Sequence, residues 1–282
     1  MDPSAIDALH PSHDPERRLL VLTLDHGKAN EMGTEQLDAL TRLCEQLEED
    51  GSVSCLCTTS RRTSRRGTPI FIAGANVTER TGWDDARIKA HVLRQRELMR
   101  RLRRLPLFTV VLSHGVTLGW GTEYLLTADY ALATPTASFG LPETGLGILP
   151  GARGTAELAG LIGPAHALRL GCTGESIDAD EALRIGLVQE RVDDVDAGLV
   201  RVQALAERLC KRSPTAVAAY KQALLDSLGQ PEAVRLEHER RAYEHTVDTG
   251  EAAIGRASFA EIRQGDAPTW GPRRRLSPAD PQ

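Results

Sequence analysis

Short aliphatic runs alternate with helical patterns in this chain, and the alternation limits the folds open to it. The run Leu19 to Leu24 has the length of one buried strand, and leucines recur through residues 34–49 at the spacing of an amphipathic helix. Further strand candidates follow at 53–59, 70–73 and 108–112. Strands that alternate with helices predict a mixed α/β core.

Later segments carry mostly helical patterns, and from residue 196 onward strand candidates become rare. The predicted helices cover 84–105, 122–131, 178–186, 199–209, 214–228 and 236–246. In the second of these, Thr122 is expected to cap the helix, with Glu123 in the first turn near the positive end of the helix dipole. Residues 1–15 are polar and contain proline and histidine, which predicts a flexible tail.

Composition excludes several classes of function. Hydrophobic residues make up 41% of the 282 residues but aromatic residues only 4%, so the core must be aliphatic and base-stacking platforms are not expected. The net charge of −5 argues against nucleic acid or an anionic membrane as partner. Five cysteines without framework spacing, and no signal peptide, predict a reduced cytoplasmic setting. No Cys/His set has the spacing of a zinc site, and no metal is expected.

The segment from Gly115 to Gly154 holds two glutamates, Glu123 and Glu143, each beside a glycine-rich turn. A carboxyl group next to free backbone amides can act as an acid or base on a substrate that those amides hold. Taken alone, each glutamate also has a structural explanation: Glu123 complements a helix dipole, and Glu143 is an exposed turn residue.

Several motifs occur in order between Arg17 and Trp270. They are Phe71-Ile-Ala-Gly-Ala-Asn76, Gly115-x-x-x-Gly-x-Gly-x-Glu123 followed by Ala128-Asp129, Phe139-Gly-x-Pro-Glu143, Gly147-Ile-x-Pro-Gly151, and Thr173-Gly-x-x-Ile-Asp-Ala-x-Glu-Ala182. In sequence and spacing they resemble the motifs of the crotonase superfamily, the enoyl-CoA hydratase/isomerase group. This resemblance implies an α/β fold, a crotonase-like spiral of ββα units with a C-terminal helical trimerisation region. The expected division is a core at 16–195, an oligomerisation region at 196–270 and a flexible tail at 271–282.

The resemblance also assigns roles to individual residues. The backbone amides of Ala73 and Trp120 match the oxyanion hole that stabilises a thioester enolate. Glu123 matches the residue that activates water for attack at C3, Glu143 the residue that delivers a proton to C2, and Gly151 the group that helps to hold the water. The substrate contacts expected from it are Ala75, Asn76, Gly119, Pro142 and Arg153.

Both glutamates together favour an enoyl-CoA hydratase, which adds water across the C2=C3 bond of a 2-enoyl-CoA thioester. The alternatives are another reaction of the superfamily (double-bond isomerisation, or hydrolysis of a thioester or a β-diketone) and an acyl-CoA-binding subunit with weak catalysis. Coenzyme A would be part of the substrate, so no separate cofactor is expected. The expected assembly is a homotrimer or homohexamer.

Four positions depart from the superfamily pattern. Trp120 stands where glycine is usual, and its indole could shorten the acyl pocket, pack beneath the loop or displace the amide. Arg153 also replaces a glycine and could pair with Glu143 or reach a substrate carboxylate. Asn76 replaces an aspartate, and Ile262 a coenzyme-contacting lysine. The arginines from 94 to 104 predict a solvated helix face, with coenzyme A phosphates as the alternative ligand.

Overall fold

In the computed structural model, which describes residues 3–277, ten strands form two sheets and eleven α-helices surround them. The strands are β1 Pro11–Asp14, β2 Leu19–Leu24, β3 Cys55–Ser60, β4 Ile70–Ile72, β5 Phe108–Ser113, β6 Val116–Leu118, β7 Tyr130–Ala133, β8 Ser138–Gly140, β9 Ser176–Asp178 and β10 Glu190–Arg191. The helices are α1 Thr34–Glu49, α2 Asp85–Arg103, α3 Trp120–Leu125, α4 Gly154–Ile162, α5 Pro164–Thr173, α6 Ala179–Ile185, α7 Val195–Cys210, α8 Pro214–Ser227, α9 Glu232–Asp248, α10 Glu251–Ala257 and α11 Phe259–Gln264. Short 3₁₀ helices cover Pro3–Leu9, Thr78–Arg80 and Pro142–Leu146.

The two sheets are built by one repeated step along the chain. The larger sheet has the order β1-β2-β3-β5-β7-β10, with β1 antiparallel to β2 and the other pairs parallel. The smaller sheet has the order β4-β6-β8-β9, with only β8 and β9 antiparallel. Each pass through the larger sheet at β3, β5 and β7 is followed by a strand of the smaller one, and the predicted mixed α/β fold of ββα units is confirmed.

The aliphatic composition is reflected in the core. A large cluster of buried side chains, with Phe71 and Phe139 fully enclosed, includes residues from both sheets and from α1 and α2. A second cluster includes Cys55, Cys57 and Leu112 together with residues of α7, which covers the larger sheet. The cysteines are free thiols, and burial raises the pKa of Cys55 to about 12, as expected for core thiols.

The prediction of a flexible tail over residues 1–15 is wrong for the part that the structure describes. β1 pairs antiparallel with β2, and the apolar side chains of Ile6 and Leu9 are completely buried in the large core cluster. Burying these two apolar side chains removes apolar surface from water and, with the strand pairing, anchors the segment. At the other end, the Arg273 guanidinium donates to backbone carbonyls at residues 47, 50 and 53, so the segment before 278 is also anchored. Residues 278–282 lie outside the described residues.

The helix predicted at 122–131 is much shorter than expected. It ends at Leu125, and residue 130 already belongs to β7. Thr122 is not its cap: its hydroxyl lies inside the fold and donates to the carbonyls of Thr117 and Gly140 at 2.9 and 3.0 Å. Gly119, at φ 54°, turns the chain so that α3 starts at Trp120.

The C-terminal helices are joined to the core by a buried ion pair. The Lys221 ammonium of α8 donates to Asp129 Oδ2 at 2.7 Å and to the Leu107 carbonyl at 2.9 Å, and its burial lowers the pKa of Lys221. Asp129, which directly precedes β7, also accepts from the Thr109 amide, so one carboxylate joins α8 to the start of β5 and β7. On the opposite side, α8 and α9 border an exposed groove of about 790 Å³, lined partly by Tyr220, Leu224, Leu236 and Tyr243.

Candidate active site

Glu123 is held by backbone amides from a separate loop. Its side chain is 3% exposed, and Oε1 accepts hydrogen bonds from the amides of Ala152 and Gly154, both at 2.8 Å. A Cβ atom at position 154 would lie 2.8 Å from Oε1, so only glycine leaves room for the carboxyl group there. The loop before α4 therefore fixes the position of Glu123.

The surroundings of Glu123 favour its protonated form. Burial, together with the negative charge of Glu143, raises the pKa of Glu123 to about 7, although the two backbone hydrogen bonds oppose the change. A carboxyl group with this pKa exchanges protons near neutral pH, which suits a general base or acid.

Glu143 lies in the 3₁₀ helix Pro142–Leu146, half-buried, and faces the start of α3. A Cβ atom at Gly119 would come within 2.8 Å of its Oε1. Its Oε2 is buried and has no hydrogen-bond partner among residues 3–277, and burial raises the pKa of Glu143. The fold thus brings the two glutamates into electrostatic contact at one site.

The amide expected from Ala73 is not available to a ligand. It donates to the Ala29 carbonyl at 3.1 Å, so its assignment to the oxyanion hole is corrected. Gly74, at φ 118°, then turns the chain, and the amide of Ala75 has no acceptor within the described part of the chain. The amide of Trp120, at the start of α3, likewise has no acceptor among residues 3–277. The pair of free donors is therefore Ala75 and Trp120.

The other residues predicted to contact the substrate or the water differ in which of their polar groups are free. The Gly151 amide has no acceptor within residues 3–277, while its carbonyl accepts from Arg96 Nε at 2.6 Å. The Asn76 side-chain oxygen accepts from the Thr78 hydroxyl at 2.6 Å and from the Glu79 amide at 3.3 Å. The role of Asn76 as a substrate contact stays a prediction. Pro142 is exposed at the start of the 3₁₀ helix that carries Glu143.

The indole of Trp120 is buried in the core and is only 2% exposed. It stacks on the ring of Tyr124, with centroids 5.5 Å apart, and Tyr124 is held in turn by a 2.9 Å hydrogen bond to Thr58. Because the indole packs into the core, a tryptophan can stand where the motif usually has glycine, and the Trp120 amide remains at the N-terminal end of α3. Its Nε1 has no partner among the described residues.

Arg153 does not pair with Glu143. It adopts a left-handed conformation, with φ 84°, and its guanidinium forms an ion pair with Glu157 one turn along α4. The arginines of α2 are paired in the same way with surface acids, as in Arg94 with Asp38 and Arg101 with Glu48. These contacts agree with the predicted solvated helix face.

The model of the family described as enoyl-CoA hydratase/isomerase matches residues 15–271. The chain belongs to this family. It is thereby a member of the crotonase superfamily, as the motifs had indicated.

Individual relatives agree with this assignment. The chain is 29% identical over 252 residues to the short-chain-enoyl-CoA hydratase of Clostridium acetobutylicum, covering 89% of this chain and 94% of the relative. It is 32% identical over 253 residues to human enoyl-CoA hydratase domain-containing protein 2, mitochondrial, with coverage of 88% and 85%. The crystal structure of enoyl-CoA hydratase from Bacillus anthracis superposes with a TM-score of 0.82 at 30% identity and covers 92% of this chain and 98% of that one.

Three features of this family member's site were missed from the sequence: the Ala75 amide, the amides at 152 and 154, and the contact of Arg96 with the loop. Glycines gave the only signal, since Gly74 and Gly154 mark a chain reversal and a close approach. Arg96 gave none, because its partner is a backbone carbonyl.

Within residues 3–277, no helix is long and apolar enough to cross a membrane.

The backbone amides of Ala152 and Gly154 that hold Glu123 are called the Glu123 cradle below. Two glycines of α4 provide a matched test of it. We expect Gly154→Ala to lower kcat/KM by about tenfold or more, because its Cβ would lie 2.8 Å from both Glu123 Oε1 and Pro150 Cβ. Gly160→Ala meets nothing within 4 Å and is expected to keep full activity while stabilising the helix by about 1 kcal/mol. Steady-state kinetics and thermal melts of both variants check this. Equal kinetics in the two variants would contradict the cradle.

Proposed function

We propose that this protein is an enoyl-CoA hydratase that adds water across the C2=C3 bond of a 2-enoyl-CoA thioester. The observation that carries the proposal is the meeting of two partly or fully buried carboxyl groups, Glu123 and Glu143, both with raised pKa, beside two backbone amides that have no acceptor. Hydration needs both a base and an acid, and two neighbouring carboxyl groups whose pKa values are raised suit that division of roles.

The first task is to stabilise the negative charge that forms on the thioester oxygen. In our proposal the amides of Ala75 and Trp120 donate to that oxygen, one from the turn after β4 and one from the first turn of α3. Each such donor is typically worth about 3 kcal/mol of the activation barrier. The N-terminal end of α3 adds a favourable partial charge at the same point.

The second task is proton transfer. Ionised Glu123 takes a proton from a water molecule as its oxygen attacks C3, and protonated Glu143 gives a proton to C2. The amide of Gly151 is the expected further contact for the water, because it lies next to the loop that holds Glu123. After the product leaves, the proton gained by Glu123 must be lost and that of Glu143 regained, which restores the starting state.

Mass analysis of incubations with crotonyl-CoA tests this proposal. Hydration adds the mass of one water to the thioester. An unchanged mass with a shifted double bond would mean isomerisation, and release of free coenzyme A would mean hydrolysis; either replaces the hydratase by another reaction of the superfamily. Binding of crotonyl-CoA with no product would support a binding subunit instead.

A homo-oligomer, trimer or hexamer, is part of the same proposal. The groove between α8 and α9 exposes large apolar side chains, among them Tyr220 and Tyr243, which are 70% and 71% exposed in the single chain. Such a surface is expected to be covered by another copy. Sedimentation equilibrium of the full-length protein measures the mass, and a monomer at all concentrations would contradict it.

A further inference from the structure

Several buried nitrogen atoms without hydrogen-bond partners belong to three residues between positions 80 and 95. Within the described chain, Arg80 leaves both Nε and Nη2 buried and unpartnered, and His91 and Gln95 each leave one nitrogen in the same state. His91 is 8% exposed and Gln95 3%. Leaving buried donors unpaired costs free energy, so such a cluster is expected to meet an acceptor that the protein chain does not provide.

The three residues form one group, which we call the donor cluster (Arg80, His91 and Gln95). His91 and Gln95 are one turn apart on α2 and so share a face. The segment that carries Arg80 packs on that face: Trp83 donates its amide to the Arg80 carbonyl at 3.0 Å, and its ring contacts the His91 ring edge-on with centroids 5.2 Å apart.

The carboxylate of the neighbouring Glu79 does not accept hydrogen bonds from the donor cluster. Glu79 Oε1 lies 3.9 Å from His91 Nε2, too far for a hydrogen bond. Its carboxylate accepts instead from the amide and hydroxyl of Thr34, at 3.0 and 3.3 Å, at the start of α1. Burial and the nearby Arg80 charge lower the pKa of His91, so its ring is neutral near pH 7 and can donate through Nε2.

The segments that carry the donor cluster adjoin the candidate site on two sides. Arg80 follows the free amide of Ala75 by five residues along the chain. On the other side, the same stretch of α2 reaches the loop of Gly151: Arg96 Nε contacts its carbonyl at 2.6 Å, and a Cβ atom there would lie 3.2 Å from Val92 Cγ1. Arg80 is thus carried by the segment that follows the proposed oxyanion donor, and His91 and Gln95 by the helix that contacts the loop holding Glu123.

We propose that the donor cluster binds a carboxylate at the far end of the acyl group, so that the substrates are 2-enoyl-CoA thioesters of dicarboxylic acids. This inference rests on the proposed hydratase function. A guanidinium with two open N–H groups matches the two oxygens of a carboxylate, and the Gln95 amide and His91 ring can complete the shell. Arg153, the cation that the sequence suggested for this role, is paired with Glu157.

The test compares matched substrates and variants. Straight-chain 2-enoyl-CoA thioesters and the same chains ending in a carboxylate are assayed with the wild type, Arg80→Met and Gln95→Leu. We expect the wild type to favour one carboxylated chain length by about tenfold or more in kcat/KM. Arg80→Met and Gln95→Leu should each reduce that preference while changing kcat/KM for the uncharged chains by less than about twofold. Arg100→Met is the control, because Arg100 is an exposed arginine of the same helix that is paired with Glu97, and it should change neither.

A binding measurement separates this proposal from the proposed function. Saturated acyl-CoA thioesters with and without the terminal carboxylate are titrated calorimetrically, which requires no turnover. Tighter binding of the carboxylated thioester, lost in Arg80→Met, supports the donor cluster even if hydration fails. Equal binding of both thioesters by the wild type overturns it, as does an equal loss for both in Arg80→Met and Gln95→Leu variants that melt like the wild type.

Discussion

Glu143→Gln is expected to lower kcat by about 10²- to 10⁴-fold, the usual contribution of a positioned acid, while the affinity for a saturated acyl-CoA changes little. The amide keeps the shape of the side chain beside Gly119 but has no proton to give to C2. Because burial raises the pKa of Glu143, the wild-type residue is protonated over a wider range of pH than an exposed glutamate. The measurements are single-turnover kinetics and calorimetric titration.

Glu35→Gln is the matched control for this experiment. Glu35 is exposed in the first turn of α1, far along the chain from the glycine-rich turns, and its replacement should leave kcat within about twofold of the wild type. A Glu143→Gln enzyme with normal kcat would remove Glu143 from the chemistry. A variant that also failed to bind acyl-CoA would assign the residue to binding instead.

Local patterns predicted the elements of this fold well where one physical signal was sufficient. The leucine spacing of residues 34–49 gave α1 with its observed bounds, and Asp178 caps α6 by accepting from the Glu181 amide as the sequence suggested. The helix at 122–131 was wrong because apolar periodicity continues through Leu125 and Leu126 into β7. Where α3 ends depends on long-range pairing of β7 with β5, which no local window contains.

The motifs point to segments of the candidate site, but they do not determine which backbone atoms are free. In the segment from Ala73 to Asn76, the free amide depends on the hydrogen bond from Ala73 to Ala29 and on the turn at Gly74. Hydrogen bonds between distant backbone groups leave no mark on side-chain identity. For the same reason, the amides that hold Glu123 could be found only from coordinates.

Glu123→Gln is expected to reduce kcat/KM by about 10²- to 10⁴-fold and to change its pH dependence. Both backbone donors bond to Oε1, and a glutamine oxygen can take its place, so the cradle survives without the base. In the wild type, activity requires ionised Glu123 and should fall as the pH drops below its pKa of about 7. The residual activity of the variant should not fall in this way at acid pH. If the activity of both proteins fell at the same pH, the titrating group would be a residue other than Glu123.

The same substitution should stabilise the fold at high pH. Glu123 has a pKa of about 7 in the folded protein against 4.5 for the free side chain, so the folded state holds a proton that the unfolded state has lost between these values. The free energy of unfolding therefore falls as pH rises through this window, and above it the burial of the charge costs about 3 kcal/mol. Urea titrations should find Glu123→Gln more stable than the wild type by about that amount at pH 8 and nearly equal to it at pH 4.5. If Glu123→Gln were less stable than the wild type by the same amount at both pH values, the carboxylate would be a structural anchor. A gain in stability confined to high pH means that the wild type retains a buried charge at a cost in stability, as expected of a catalytic base.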